Sequence, residues 1–418
     1  MKKIKLSFDK FRDSEIKLNS SKSESNRLLI IKALSDKETI IKNLSNANDT
    51  ILLKRLLESK DLVMWDAQDA GTSFRFLTSF LALTRDHVVL TGTERMKQRP
   101  IKILVEALNN LGAEILYLEE EGFPPIYVKK KINQINNKLT IPGDISSQYI
   151  SSLLLIAPML NKGVQINISE PFYSRPYVEM TLKLMKKFGI ESVTDGSVIK
   201  IQNQDFIAGN YKVESDWSAA SYWYSIMSTS NQINNLSLLG LNKNSNQGDS
   251  IISKLMNKFG VKTEFNEEGI LLSKCKVDNN EVELDFRDCP DLAQTILVVA
   301  AIHKVKLKIS GVESLKIKET DRLLAMKKEL LKIGCNFYEE NNFWILDIRD
   351  DEIDDNISFD TYNDHRMAMA FAPIASVKNI YINNPSYEIC NTNYYPCYPH
   401  LRACRTEFSV KIIYVWKR

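Results

Sequence analysis

The stretch TYNDHRMAMAFAPIA, residues 361–375, sets six polar, aromatic or charged residues ahead of nine uncharged ones that begin at Met367. An apolar run of this kind is built for burial as a helix, and Asn363 or Asp364 supplies the N-cap such a helix needs. Arg366 beside the cap is harder to place. A positive side chain at a helix N-terminus opposes the macrodipole unless an anion is bound there.

The same design recurs along the chain. Short polar entrances followed by uncharged helical runs are found in DAGTSFRFLTSFLAL, ISSQYISSLLLIAPML, SDWSAASYWYSIM, CPDLAQTILVVAAI and NDHRMAMAFAPIA. Anchored at Gly71, Ser147, Trp217, Asp291 and Asp364, they are spaced by 76, 70, 74 and 73 residues. An earlier helix of this type begins at SKSESNRLLIIKAL. A second series keeps step with the first: PIKILVEALNNLGAEILYL, YVEMTLKLMKKFGIESV, IISKLMNKFGVKTEF and LLAMKKELLKIGCNFY. Here apolar residues recur at i, i+3, i+4 and i+7, as an amphipathic helix requires. Gly112, Gly189, Gly260 and Gly334 stand where a left-handed C′ residue is expected, 77, 71 and 74 residues apart. Strand-like runs such as NKLTIPG, VQINIS and KLKISG lie between the helices.

A fixed period marks internal repetition. The spacing predicts six units of roughly 70 residues, each with a buried helix, an amphipathic helix and several strands, grouped as two domains of three units. Parallel inner helices would turn their N-termini, and the partial positive charge found there, toward one place suited to anions.

Composition agrees with an ordinary globular protein. The 418 residues are 44% hydrophobic and 26% charged, with a net charge of +3. That charge is too small to imply nucleic acid or a membrane surface, and Lys129-Lys130-Lys131 lacks the interleaved aromatics of a nucleic-acid patch. No window reaches the ~18 apolar residues of a membrane span, and no apolar stretch follows the basic Met1–Phe8 as a signal peptide requires. Six cysteines without a Cys-x-x-Cys pair fit a reducing cytoplasm, and four scattered histidines give no metal-ligand spacing. No phosphate-binding glycine loop is present, so nucleotide-driven chemistry has no support.

The helix entrances gather one kind of side chain: Lys22, Ser23 and Arg27; Gly71, Thr72 and Arg75; Ser146, Ser147 and Gln148; Asp291; and Asn363 to Arg366. TGTERMKQRPI adds Arg95, Lys97 and Arg99, and KIKETDRLLAM adds Lys318, Glu319, Asp321 and Arg322. Hydroxyls, backbone N–H groups and guanidinium forks suit phosphate and carboxylate. Each also has a structural reading: Ser23, Ser25 and Asp291 as simple caps, KETDR as a capping box, Arg99 as a surface residue before Pro100. Recurrence at equivalent places weakens those readings. Arg322 and Arg366 in particular have no structural need visible in the sequence.

At these residues the chain resembles the EPSP synthase family, the enolpyruvyl transferases that act on shikimate 3-phosphate. SKSESNR, DAGTSFRFL, LTGTERMKQRPI, GDISSQY, SRPY, PDLAQT, KIKETDR and TYNDHRMAMAFA occur in the family's order and spacing from about residue 16 to residue 385. The resemblance implies a two-domain inside-out α/β barrel, each domain three βαβαββ repeats around buried parallel helices. Residues 1–18 and 215–418 would form one domain and 19–214 the other, with the active site in the cleft. It implies transfer of the enolpyruvyl group from phosphoenolpyruvate to shikimate 3-phosphate, by addition and elimination, with no cofactor or metal. The expected partners are these two small molecules, with no nucleic acid and no membrane, for a cytoplasmic monomer.

It also implies roles. Lys22, Ser23, Arg27, Ser146, Ser147, Gln148, Ser174, Asp291 and Lys318 would hold shikimate 3-phosphate. Lys22, Gly71, Arg99, Gln148, Arg322 and Arg366 would surround phosphoenolpyruvate, and Asp291, Glu319 and Lys22 would be catalytic. Two doubly anionic substrates lead one to expect basic groups to outnumber acids locally. Past Pro385 the likeness ends. Asn393 stands where the family has a donor-binding lysine, and the sixth amphipathic helix expected near residues 397–410 has neither its apolar period nor its glycine. An alternative reading follows, a relative that binds shikimate 3-phosphate but turns over poorly. UDP-N-acetylglucosamine enolpyruvyl transferase, which shares fold and donor, matches the quoted motifs less well.

Overall fold

Strand, buried helix, parallel strand, amphipathic helix and antiparallel hairpin follow one another repeatedly in the computed structural model, which describes residues 2–10, 14–59, 61–349, 353–384 and 409–416. The chain divides into two units, residues 20–213 and residues 1–19 with 214–418.

In the 20–213 unit, helices α1 (Lys22–Leu34), α2 (Asn48–Glu58), α3 (Gly71–Thr84), α4 (Glu94–Lys97), α5 (Lys102–Leu111), α6 (Ser147–Ile156) and α7 (Arg175–Lys187) alternate with strands. Met64–Asp66 pairs in parallel with Val88–Thr91 across α3, and Ile126–Lys130 and Glu114–Tyr117 complete that sheet antiparallel. The sheet of residues 138–142, 164–169, 198–201 and 192–195 repeats the order. Thr39–Lys42 and Gly209–Lys212 form a parallel pair. The uncharged helices are the inner ones: α3 and α6 pack together, and Phe74, Phe76, Leu77, Ile150, Leu153 and Leu154 are at most 1% exposed. The amphipathic α5 buries only one face, through Leu104, Val105, Ala107, Leu108 and Leu111.

The second unit holds α8 (Trp217–Thr229), α9 (Ile252–Leu255), α10 (Ala293–Ile302), α11 (Arg322–Leu331) and α12 (His365–Phe371). Glu281–Asp285 and Lys306–Ser310 pair in parallel across α10, and Ile357–Asp360 pairs with Ile380–Asn383 across α12. Ser14–Lys17 pairs in parallel with Asn235–Leu239, so the N-terminal segment completes a sheet of this unit. Every residue of α10 from Ala293 to Ala301 is buried. At roughly 1.5–3 kcal/mol per large apolar side chain, Ile296, Leu297, Val298 and Val299 alone contribute about 6–12 kcal/mol of burial.

The glycine stops behave as their spacing predicts: Gly112, Gly189, Gly260 and Gly334 have φ of 111°, 87°, 82° and 73°. At Gly112 a Cβ would also run into the Asn133 carbonyl, so the requirement is steric as well as conformational. The predicted third amphipathic helix is broken. Only Ile252–Leu255 is α-helical, between 3-10 turns at Gly248–Ile251 and Met256–Phe259. Its polar start is tied down elsewhere: Gln247 accepts from the Trp217 N–H at 3.0 Å, and the Asp249 carboxylate accepts from Ser218. Glycine, serine and asparagine supply little helix propensity against those ties.

Most of the expected sixth amphipathic helix, and Asn393, lie outside the described residues. Ser409–Trp416 is a β-strand, antiparallel to Lys2–Lys10.

Candidate active site

In the 20–213 unit the predicted residues gather at the starts of α1, α3, α6 and α7. Ser21, not Ser23 or Ser25, caps α1 by accepting from the Glu24 N–H. This leaves Lys22 as the first helical residue, 3.1 Å from the Asp49 carboxylate. Arg27, one turn further on, is 2% exposed. It donates to Thr181 (2.7 Å), the Ser23 carbonyl (2.9 Å), Ser151 (3.3 Å) and the Tyr177 carbonyl (3.2 Å). Burial draws its pKa down to about 10, against the pull of Tyr177 and Glu24. Ser174 precedes α7 in the left-handed region, at φ 56°. Ser147 is buried at the start of α6, and the Ser146 hydroxyl caps that helix.

Gly71 opens α3 without a side-chain cap. Arg75 donates to the Gly71 carbonyl and to Gln148 Oε1, both at 3.0 Å, and Gln148 Nε2 donates to Thr72 at 2.9 Å. A Cβ on Gly71 would meet the Arg99 guanidinium and lie 2.8 Å from Arg75 Nη1. Gly71, Arg99 and Gln148 are therefore neighbours, and two guanidinium groups crowd the start of an uncapped helix. Ser73 donates to the Asp49 carbonyl at 3.1 Å, which links α3 to the acid that holds Lys22. The sequence reading missed Asp49, Ser151 and Thr181.

The other unit carries a second cluster at the starts of α10, α11 and α12. Arg322 is 2% exposed, and three carboxylates meet it: Asp364 at 2.7 Å, Glu319 at 2.8 Å and Asp291 at 3.1 Å. Arg366 reaches Asp291 at 3.0 Å. Asp291 caps no helix; its two oxygens bridge the two arginines. Asp321 caps α11 by accepting from the Leu324 N–H, and Asp364 caps α12 by accepting from the Arg366 N–H at 2.9 Å.

One expectation is corrected here. Arg322 has a structural need after all, because it neutralises the fully buried Asp364. Within this unit's cluster Lys318, Arg322 and Arg366 face Asp291, Glu319 and Asp364, and Asp249 is close enough to feel Asp291 and Arg366. Buried cations need carboxylates when no anion is bound.

The charges set one another. Burial opposes ionisation of Asp291, yet Arg366, Lys318 and Arg322 together hold its carboxyl well below the usual range. Burial works to deprotonate Arg322, and Asp364, Glu319 and Asp291 more than offset it. Burial lowers Lys318, with Asp291 opposing. Asp249 is pushed up to about 6, by burial first and then by the Asp291 charge. Tyr362 and Asn363, just ahead of α12, have φ of 52° and 55°. This left-handed backbone costs on the order of 1 kcal/mol or more at each non-glycine residue.

Sheets built from βαβαββ units, with charged side chains collected at helix starts, define a class of α/β protein suited to small anionic ligands. The solved EPSP synthase of Acinetobacter baumannii has this fold: TM-score 0.76 at 18% identity, over 99% of this chain and 100% of that one. A family model described as EPSP synthase (3-phosphoshikimate 1-carboxyvinyltransferase) matches residues 52–399. The 3-phosphoshikimate 1-carboxyvinyltransferase of Bacteroides fragilis is 42% identical over 95% of this chain and 96% of its own length. That of Buchnera aphidicola subsp. Baizongia pistaciae is 34% identical over 93% of this chain and 95% of its own. The chain belongs to the EPSP synthase family.

Among the described residues no helix is long and apolar enough to cross a membrane, and no group of three or more His, Cys, Asp or Glu side chains is placed to hold a metal ion.

Proposed function

We propose that this chain is a 3-phosphoshikimate 1-carboxyvinyltransferase, which moves the enolpyruvyl group of phosphoenolpyruvate to the 5-hydroxyl of shikimate 3-phosphate. The observation that carries the reading is the Asp291–Arg322–Arg366 bridge with Glu319 on the same guanidinium, in a chain that belongs to this family. Lys22, Ser23, Arg27, Ser146, Ser147, Gln148, Ser174, Asp291 and Lys318 are assigned to shikimate 3-phosphate. Lys22, Gly71, Arg99, Gln148, Arg322 and Arg366 are assigned to phosphoenolpyruvate.

In the addition step the hydroxyl oxygen bonds to C2 of the enolpyruvyl group. Its proton passes to Asp291, and C3 gains a proton from Glu319, which takes up that proton once the donor's anionic groups engage Arg322. In the elimination step the C2–O bond to phosphate breaks, C3 returns its proton to Glu319, and the proton held on Asp291 leaves with the phosphate, so that both carboxyl groups return to their starting states. Lys22 stands by the donor phosphate. A carboxylate held far below neutral pH is a weak base. The donor's own anionic groups answer this. By engaging Arg366 and Arg322 they relieve Asp291 of the charges that depress it, and its basicity rises as the donor binds. We read the protein as cytoplasmic and as a monomer, the latter checked by sedimentation at micromolar concentration.

The test is steady-state phosphate release. Saturable dependence on both substrates is expected, and Asp291→Asn should lower kcat by about 100-fold or more. No release above background from the wild-type chain refutes the reading.

A further inference from the structure

We propose that Tyr362 and Glu329 form a positioning clamp that holds the Asp364–Arg366 entrance in register with α11. The inference deepens the reading above, on which Arg366 and Arg322 hold the donor. Arg322 and Glu329 lie seven residues apart on α11, so they share one face at about 10 Å separation. The segment before α12 grips that face at both points. At one end Asp364 binds the Arg322 guanidinium at 2.7 Å. At the other the Tyr362 hydroxyl donates to Glu329 Oε1 at 2.6 Å, and the Asp360 N–H donates to Glu329 Oε2 at 3.0 Å.

Glu329 is wholly buried, and Lys332 at 2.6 Å offsets its charge. Burial, and then the Glu329 carboxylate, push the Tyr362 phenol up, which keeps it a donor. Between the two grips the chain passes through the left-handed Tyr362 and Asn363. Strained backbone persists where its surroundings over-determine it. Within the turn the Asp364 N–H donates to the Thr361 carbonyl at 2.8 Å. The hydroxyl of Tyr362 thus fixes where Asp364 and Arg366 stand, without touching either substrate. A phenylalanine there would fill the same space and lose the grip.

The variants are Tyr362→Phe, Glu329→Gln and Tyr338→Phe. Glu329→Gln keeps an oxygen to accept from Tyr362. Tyr338→Phe removes a comparable bond, to Asp347 at 2.6 Å, in the hairpin beyond α11. Two readouts are taken: amide hydrogen exchange of a peptide covering residues 361–371, and steady-state kinetics with each substrate varied. Tyr362→Phe should speed exchange of that peptide about tenfold or more. It should lower kcat/KM for phosphoenolpyruvate about 10- to 100-fold, since a shift near 1 Å is enough for that, with the KM for shikimate 3-phosphate held. Glu329→Gln, which keeps an acceptor for the Tyr362 hydroxyl, should lose less than Tyr362→Phe in both readouts, and Tyr338→Phe should match wild type. Unchanged exchange in Tyr362→Phe overturns the clamp. Faster exchange with unchanged donor kinetics overturns its positioning role, as does an equal effect from Tyr338→Phe. If the wild-type chain releases no phosphate at all, it is the activity that is refuted, and exchange alone then decides the clamp.

Discussion

Replacing Arg322 with methionine removes a charge and keeps most of the volume. Asp364, 0% exposed, would lose its guanidinium partner at 2.7 Å; Glu319 and Asp291, with side chains 29% and 17% exposed, would lose theirs at 2.8 and 3.1 Å. Removing one partner of a buried ion pair costs about 3–5 kcal/mol, because the charge left behind is desolvated without compensation. In a folding unit of about 200 residues each kcal/mol moves the melting temperature roughly 2–4 °C, so a fall of about 6–20 °C is expected at pH 7.5. The assay is calorimetry paired with fluorescence of Trp217 and Trp223, which are buried in the same unit. The deficit should shrink at pH 5, because the orphaned carboxylates can then take up protons. Glu319→Gln removes only the most exposed contact and should cost no more than about 1 kcal/mol. If Arg322→Met melts within 3 °C of wild type at pH 7.5, by the same scaling the guanidinium is not offsetting buried charge, and the account of this cluster is wrong.

Two further outcomes follow from the charges and the packing. Asp249 is a carboxyl whose folded pKa is raised to about 6, so its ionisation opposes folding, increasingly from about pH 4 to about pH 6 and fully above that. Asp249→Asn should raise the melting temperature at pH 7.5 by an amount corresponding to about 3 kcal/mol and change it little at pH 4; equal shifts at both pH values would show that the carboxyl is not desolvated. Gly71→Ala places a methyl against the Arg99 and Arg75 guanidinium groups, so the KM for phosphoenolpyruvate should rise about tenfold or more at nearly unchanged melting temperature, and an unaltered KM would remove Gly71 from the donor site.

Local pattern carried a great deal of this protein. A helix apolar on every side must be enclosed, and one with an apolar stripe must cover something. From those two periods came the repeat and the inner and outer helices, and the four stopping glycines followed from the αL cap. The broken helix at residues 248–259 escaped because its stripe is right while its start is held by Trp217 and Ser218, about 30 residues away.

What only tertiary structure decided is which charge meets which. Arg322 pairs with Asp364 across 42 positions, Arg366 with Asp291 across 75, and Arg27 with Thr181 across 154. Lys22 finds Asp49 across 27. The sequence marked Arg27, Arg322 and Arg366 as cations in odd places. It could not show that they are buried and must therefore be satisfied by partners brought in by other repeats. Periodicity along one chain reports burial, because burial is a property of a face. An ion pair is a property of two points in space, and nothing in the spacing of residues 291, 322 and 364 says that they touch.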